Sequence, residues 1–179
     1  MIFDLKHYIY FLISYLICSI PFGLIVGKIF GNIDVRKQGS KNIGATNVSR
    51  LVGKKWGILT FMLDGMKGGT MIIIAKQFSM SYYHSYFLSL VVLFCVLGHI
   101  FPIYLKFKGG KGVATTMFCL LFYSKIIGIC AMIIWLITFV FTRTSSLASL
   151  VSIFFATAIA MQYTNRESSI LMIIFHIIF

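Results

Sequence analysis

Two stretches of this chain combine cations, hydroxyls and glycines in a pattern suited to anion chemistry. The first, residues 34–50, groups Ser40, Asn42, Thr46 and Asn47 around Gly39 and Gly44, flanked by Arg36 and Arg50. Glycine tolerates positive φ and so lets backbone N–H groups turn toward an anion, while Ser and Thr add hydroxyl donors. Arginine adds a planar fork that matches phosphate oxygens. A solvated loop, basic only to set membrane topology, would explain the Lys and Arg here but not the clustered Asn, Thr and Gly. The second stretch, residues 98–116, contains Lys108-Gly109-Gly110-Lys111-Gly112 ahead of an apolar run. That order predicts a glycine-rich turn feeding a helix N-terminus, whose free N–H groups and positive dipole end attract anions. It is not a Walker A loop, because no glycine stands five residues before Gly110 and Gly112 follows Lys111 in place of Ser or Thr.

Three further features are weaker. His99 stands at the end of an apolar span, where it is either a base or a hydrogen-bonded structural residue. Arg143 and Ser146 belong to a polar hinge at 142–146; an Arg at such a helix end is ordinarily a snorkelling anchor. Asp64 and Lys67 lie three apart, hence on one helix face inside a span, as a structural pair or as substrate contacts. There is no Gly-x-Ser-x-Gly elbow, and no histidine has an aspartate five residues on. Four scattered histidines without Cys–His ligand spacing argue against zinc, and no metal or cofactor is expected. Cations, backbone donors and hydroxyls suit binding and neutralising phosphates better than supplying a protein nucleophile.

The elements that must hold these groups are membrane helices. The chain is 59% hydrophobic and 11% charged, with a mean hydropathy of +0.95, far from a soluble or disordered composition. Its net charge of +12 sits in short loops between apolar spans, which points to cytoplasmic loops, anionic headgroups or an anionic substrate and not to nucleic acid. Cys18, Cys95, Cys119 and Cys130 all fall in apolar segments and read as buried small hydrophobes. Spans of about 20 apolar residues are expected over 8–29, 56–75, 85–105 and 147–163, with another at 169–179 cut short by the end of the sequence. The run 113–141 is too long for one upright span and reads as two short helices broken near Ser124. Seven basic residues between Lys28 and Lys55 place that loop in the cytoplasm and the N-terminus outside. Two further spans bring Lys106, Lys108 and Lys111 to the same face, and a break near Ser124 brings Arg143 there too. The motif loops are then about 31–55, 106–112 and 142–146 of a single polytopic domain, 1–179. Gly23, Gly27 and Gly31, at four-residue spacing, predict close helix packing.

These motifs resemble those of the bacterial acyl-phosphate:glycerol-3-phosphate acyltransferases, the PlsY family. The resemblance runs from Ser19-Ile-Pro-Phe-Gly23 through 39–50, Leu63-Asp-Gly-Met-Lys-Gly68 and 98–115 to 143–149, in the family's order. It implies an all-α, seven-helix transmembrane bundle in the bacterial cytoplasmic membrane, with its site facing the cytoplasm. It also implies transfer of a fatty acyl group from acyl phosphate to the 1-hydroxyl of glycerol 3-phosphate, giving lysophosphatidic acid and phosphate for phospholipid synthesis. Under it, Ser40, Asn42, Thr46, Asn47 and Arg50 form part of a phosphate cradle, while Lys108 and Lys111 with their glycines hold the second phosphate. Arg143 and Ser146 complete the pocket, His99 becomes functional, and a substrate phosphate takes the hydroxyl proton. The family continues past its last helix into a His-Arg-x-Asn segment. Here the sequence ends at Phe179 within that helix, and His176 is followed by Ile177, so the resemblance implies a shortened member. The rival readings are an anion or phosphate-ester transporter and an inactive relative. Partners beyond the two substrates and membrane lipids are not implied, and the oligomeric state is left open, a monomer being the simplest.

Overall fold

Proline lacks an amide hydrogen and disfavours a helical residue before it, and both prolines of this chain end apolar helices. The computed structural model describes residues 3–78 and 84–163. Helix α1 (Leu5–Cys18) stops at Ser19, and α2 (Phe22–Gly31) restarts beyond Pro21. The uninterrupted span expected over 8–29 is therefore corrected to two helices within one apolar stretch of 27 residues. The span expected over 85–105 is long and apolar enough to cross a membrane; within it α5 (His84–Ile100) ends before Pro102, and a 3-10 turn, Ile103–Leu105, completes it.

Between α2 and the long helix α4 (Lys54–Phe78) the first basic loop contains a helix of its own, α3 (Ala45–Leu51), where a loop was expected. The run 113–141 is broken as anticipated. α6 (Val113–Tyr123) and α7 (Lys125–Thr142) meet at Ser124, which is extended at φ −144° and ψ 118°. At about 1.5 Å per residue α6 is roughly 16 Å long, half a bilayer core. α8 (Ser145–Tyr163) follows directly. Four apolar stretches among the described residues are long enough to cross a membrane. The span expected at 169–179 lies outside the described residues.

Small residues set the distances between helices. Gly65, Gly68 and Gly69 of α4 lie against Phe118, Thr115 with Cys119, and Phe122 of α6, leaving no room for larger side chains. Gly23, Gly27 and Gly31 of α2 do the same, but chiefly against Ile43, Val35 and Val52 of the loop and α3 region. The expected helix–helix stripe is thus mainly a seat for the first basic loop. One apolar core joins α1, α4 and α5 around Phe87 and Val91, and another joins α6, α7 and α8 around Ile127 and Ala156. Cys18, Cys95 and Cys119 are buried free thiols.

Candidate functional site

The first basic loop is shaped by a buried amide. Asn47, only 1% exposed, sends its Nδ2 to the carbonyls of Val35 (2.9 Å), Gln38 (3.2 Å) and Asn42 (2.9 Å). Its Oδ1 accepts the Ser40 N–H at 3.0 Å. Gly39 beside it adopts φ +59°, and a side chain there would collide with that amide. Asn42 Oδ1 accepts the Gly44 N–H at 2.9 Å, turning the chain into the first turn of α3. Asp34 and Arg36 form a bidentate pair, 2.9 and 2.7 Å. The guanidinium holds the Asp34 carboxyl well below the usual carboxylate range.

The second loop folds back on the end of α5. Gly109 and Gly110 donate their N–H groups to the carbonyls of Ile100 (3.0 Å) and His99 (3.1 Å). Their expected role as anion donors is therefore corrected: in this conformation those protons are spent fastening the loop. A side chain at Gly110 would collide with the His99 imidazole. Gly112, at φ +73°, caps α6, whose first-turn N–H groups have no intrahelical partner. Lys111 Nζ donates to Ser146 Oγ at the start of α8, tying the second loop to the third. Lys108 stays exposed and outside the cavity that these loops enclose.

That cavity, of about 260 Å³, draws its walls from all three loops: Ser40, Asn42, Thr46 and Arg50; Lys111 and Gly112; Arg143 and Ser146. Gly44, Asn47, His99 and Asp64 also line it, whereas Gly39, Lys67, Lys108, Gly109 and Gly110 do not. Beneath it lies a buried polar floor. Lys67 Nζ donates to Asp64 Oδ1 at 2.8 Å and to the Ile20 carbonyl at 2.7 Å, with the Phe22 ring 5.6 Å away. Pro21 disfavours a helical conformation at Ile20 and so breaks the helix at that carbonyl. Thr115 Oγ1 donates to the Asp64 carbonyl at 2.8 Å, so His99 Nδ1, 3.3 Å from the same hydroxyl, is assigned as the donor to it. His99 Nδ1 is 3.6 Å from Asp64 Oδ1, too long for a hydrogen bond. Lys67 thus ties the α1–α2 break to α4, and Thr115 of α6 joins α4 to α5.

Chemically the cavity is suited to an anion. The side chains of Arg50 and Arg143 have no hydrogen-bond or ionic partner among the described residues. The N-terminal ends of α6 and α8 add positive dipole ends beside them. Asp64 is the one carboxylate in the wall, and Lys67 neutralises it. No group of three or more potential metal ligands occurs among the described residues. Phe61, Trp135, Thr144 and Ser145 also line the cavity. Trp135 sits in an unbroken apolar run and carried no sequence signal; Thr144 and Ser145 were hinge residues that nothing set apart.

The sequence profile of the family described as glycerol-3-phosphate acyltransferase matches residues 8–179. A glycerol-3-phosphate acyltransferase of Ehrlichia canis (strain Jake) is 44% identical over 172 residues, 92% of this chain and 88% of the relative. One from Bartonella quintana (strain Toulouse) is 47% identical over 143 residues, 80% of this chain and 68% of the relative. The crystal structure of PlsY (YgiH), an integral membrane glycerol 3-phosphate acyltransferase, in its glycerol 3-phosphate form superposes with a TM-score of 0.86 at 33% identity, covering 94% of this chain and 84% of that one. Its lysophosphatidic acid form gives 0.84 at 32% identity, covering 94% and 83%.

Proposed function

The chain belongs to the glycerol-3-phosphate acyltransferase family, as an all-α integral membrane member, and on that premise we propose that its acyl donor is an acyl phosphate and its product lysophosphatidic acid. The observation that carries this reading is the meeting of Arg50, Lys111 and Arg143 in one cavity beside two helix N-termini. Such a site suits a reaction in which both substrates carry phosphate. The 1-hydroxyl of glycerol 3-phosphate attacks the carbonyl carbon of the acyl phosphate. The bond between that carbon and the phosphate oxygen breaks, and inorganic phosphate leaves with the hydroxyl proton.

Arg50, Lys111 and Arg143, with Ser40, Asn42, Thr46 and Ser146, hold the phosphates and neutralise the leaving group. Asp64 is committed to Lys67, which favours a substrate phosphate over a carboxylate as proton acceptor. Asn47, Gly39, Gly44, His99, Gly109, Gly110 and Lys67 position the loops; Gly112 and the α6 N-terminus face the anion. Lys108, exposed outside the cavity, attracts substrate electrostatically. In this reading 1–179 form one domain in the bacterial cytoplasmic membrane, with the N-terminus outside and the three loops in the cytoplasm. The test is product analysis with purified protein, labelled glycerol 3-phosphate and either an acyl phosphate or an acyl-CoA. Labelled lysophosphatidic acid from acyl phosphate alone is expected. Product from acyl-CoA alone, or none from either, would overturn the donor assignment.

A further inference from the structure

One turn deeper than the cavity, α6, α7 and α8 leave a seam of about 10 Å³. It continues the cavity along all three helices. Val113 lines both spaces, α7 passes from Trp135 in the cavity to Ala131 in the seam, and α8 from Ser146 to Ser149 and Ser152. Three of the lining residues, Thr116, Ser149 and Ser152, carry hydroxyls in an otherwise mostly apolar wall. Two have spent their protons: Ser149 Oγ donates to the Ser145 carbonyl at 2.7 Å, and Ser152 Oγ to the Ala131 carbonyl at 2.7 Å. Ser149 Oγ also accepts from Trp135 Nε1 at 3.3 Å.

Thr116 is different. The residue is 4% exposed, and its Oγ1 is the one buried side-chain polar atom without a hydrogen-bond partner among the described residues. Buried hydroxyls are ordinarily paired, so an orphan calls for an explanation. The seam is at the lower limit, roughly 10–15 Å³, of what a single water-sized group needs. Helical side chains lean toward the N-terminus, which sets this hydroxyl over the turn beginning at Gly112, where α6 meets the cavity.

We propose that the Thr116 hydroxyl donates a hydrogen bond to the acyl carbonyl oxygen of the donor substrate. This rests on the acyl-phosphate reading. An acyl phosphate carries one oxygen that is not bonded to phosphorus, the carbonyl oxygen, and that oxygen only accepts. The seam offers one uncommitted hydroxyl proton. With the phosphate held by Lys111 and Arg143 at the α6 end of the cavity, the adjoining carbonyl carbon stays in the cavity at the mouth of the seam, and only its oxygen enters toward Thr116. As the glycerol hydroxyl oxygen bonds to the carbonyl carbon, negative charge grows on the carbonyl oxygen and the hydrogen bond strengthens. The charge returns to carbon as the bond to the phosphate oxygen breaks, and the hydroxyl proton leaves on phosphate. Thr116 keeps its own proton throughout.

Thr116→Val keeps the shape and removes the hydroxyl, and Thr116→Ser restores it. In Thr116→Val, kcat/KM for acyl phosphate should fall roughly tenfold, with KM for glycerol 3-phosphate and Tm unchanged, and recover in Thr116→Ser. A turnover-independent reading comes from the infrared stretch of a carbon-13 carbonyl on acyl phosphate bound without glycerol 3-phosphate. The stretch should lie at lower frequency in the wild type than in Thr116→Val. Equal rates and equal stretches would overturn the proposal and assign the seam to a water molecule. If the wild type transfers nothing from acyl phosphate, the donor reading falls instead, and the stretch still decides the role of Thr116. No binding of acyl phosphate to the wild type would overturn both.

Discussion

Among single residues, the polar side chains of the basic loops divide into those with spare donors and those already engaged. Arg50 and Arg143 are unpaired, whereas Asn47 spends its whole amide on the loop around it. The sequence placed Asn47 in the same class as Asn42 and Ser40, because an amide that binds phosphate and one that ties a loop look alike in a string of letters. Asn47→Ala should lower the thermal midpoint in detergent, with a stability loss of about 1–3 kcal/mol from stranded buried acceptors. Arg50→Ala should leave the midpoint unchanged. Equal midpoints for both variants would contradict this division. Asp34 offers a pH test. Arg36 depresses its folded-state pKa, so the pair's contribution is present above the ordinary value of 3.8 and is lost as pH falls through the lower folded value. An NMR titration should find Asp34 still ionised below pH 3.8; a midpoint at or above it would refute the pairing.

Among elements, what was legible depended on whether a break left a polar mark. Ser124, between Tyr123 and Lys125, marked the joint of α6 and α7. The break at Pro21 was hidden because apolar residues on both sides sum to one plausible span, and α3 was hidden inside a basic loop. The consequence of the Pro21 break, a carbonyl at Ile20 for Lys67, could not be read from Asp64 and Lys67 alone. Lys67→Met should be strongly destabilising, by about 3–5 kcal/mol, because it strands the Asp64 charge in a buried site. The double variant Asp64→Asn, Lys67→Met should regain part of that loss in thermal unfolding. A double variant no more stable than Lys67→Met would show that the charge is not what matters. Gly110→Ala, which drives a methyl into His99, should lower the rate of acyl transfer below that of the wild type; an unchanged rate would show that the contact does not hold the loop.

For the molecule as a whole, the gathering of basic loops at one end was legible because charge counts and span counts are coarse quantities that survive local errors. Splitting 113–141 in two brought Arg143 to the end that holds Arg50 and Lys111, and all three line one cavity. The seating of α2 glycines on the loop, and the deeper seam with its orphan hydroxyl, depend on packing that no periodicity encodes. Cysteines introduced singly at 37, 106 and 143 should be labelled by a membrane-impermeant maleimide only in inside-out vesicles. Labelling of position 143 from the opposite side would break the one-faced arrangement.

The most direct test of the central claim is the rate of lysophosphatidic acid formation from acyl phosphate and glycerol 3-phosphate by the purified wild type, Arg50→Ala, Lys111→Ala and Arg143→Ala. If these three cations carry the phosphates, each variant should lose about 10²-fold or more in kcat/KM while keeping the wild-type melting temperature. Wild-type rates in all three would contradict the account.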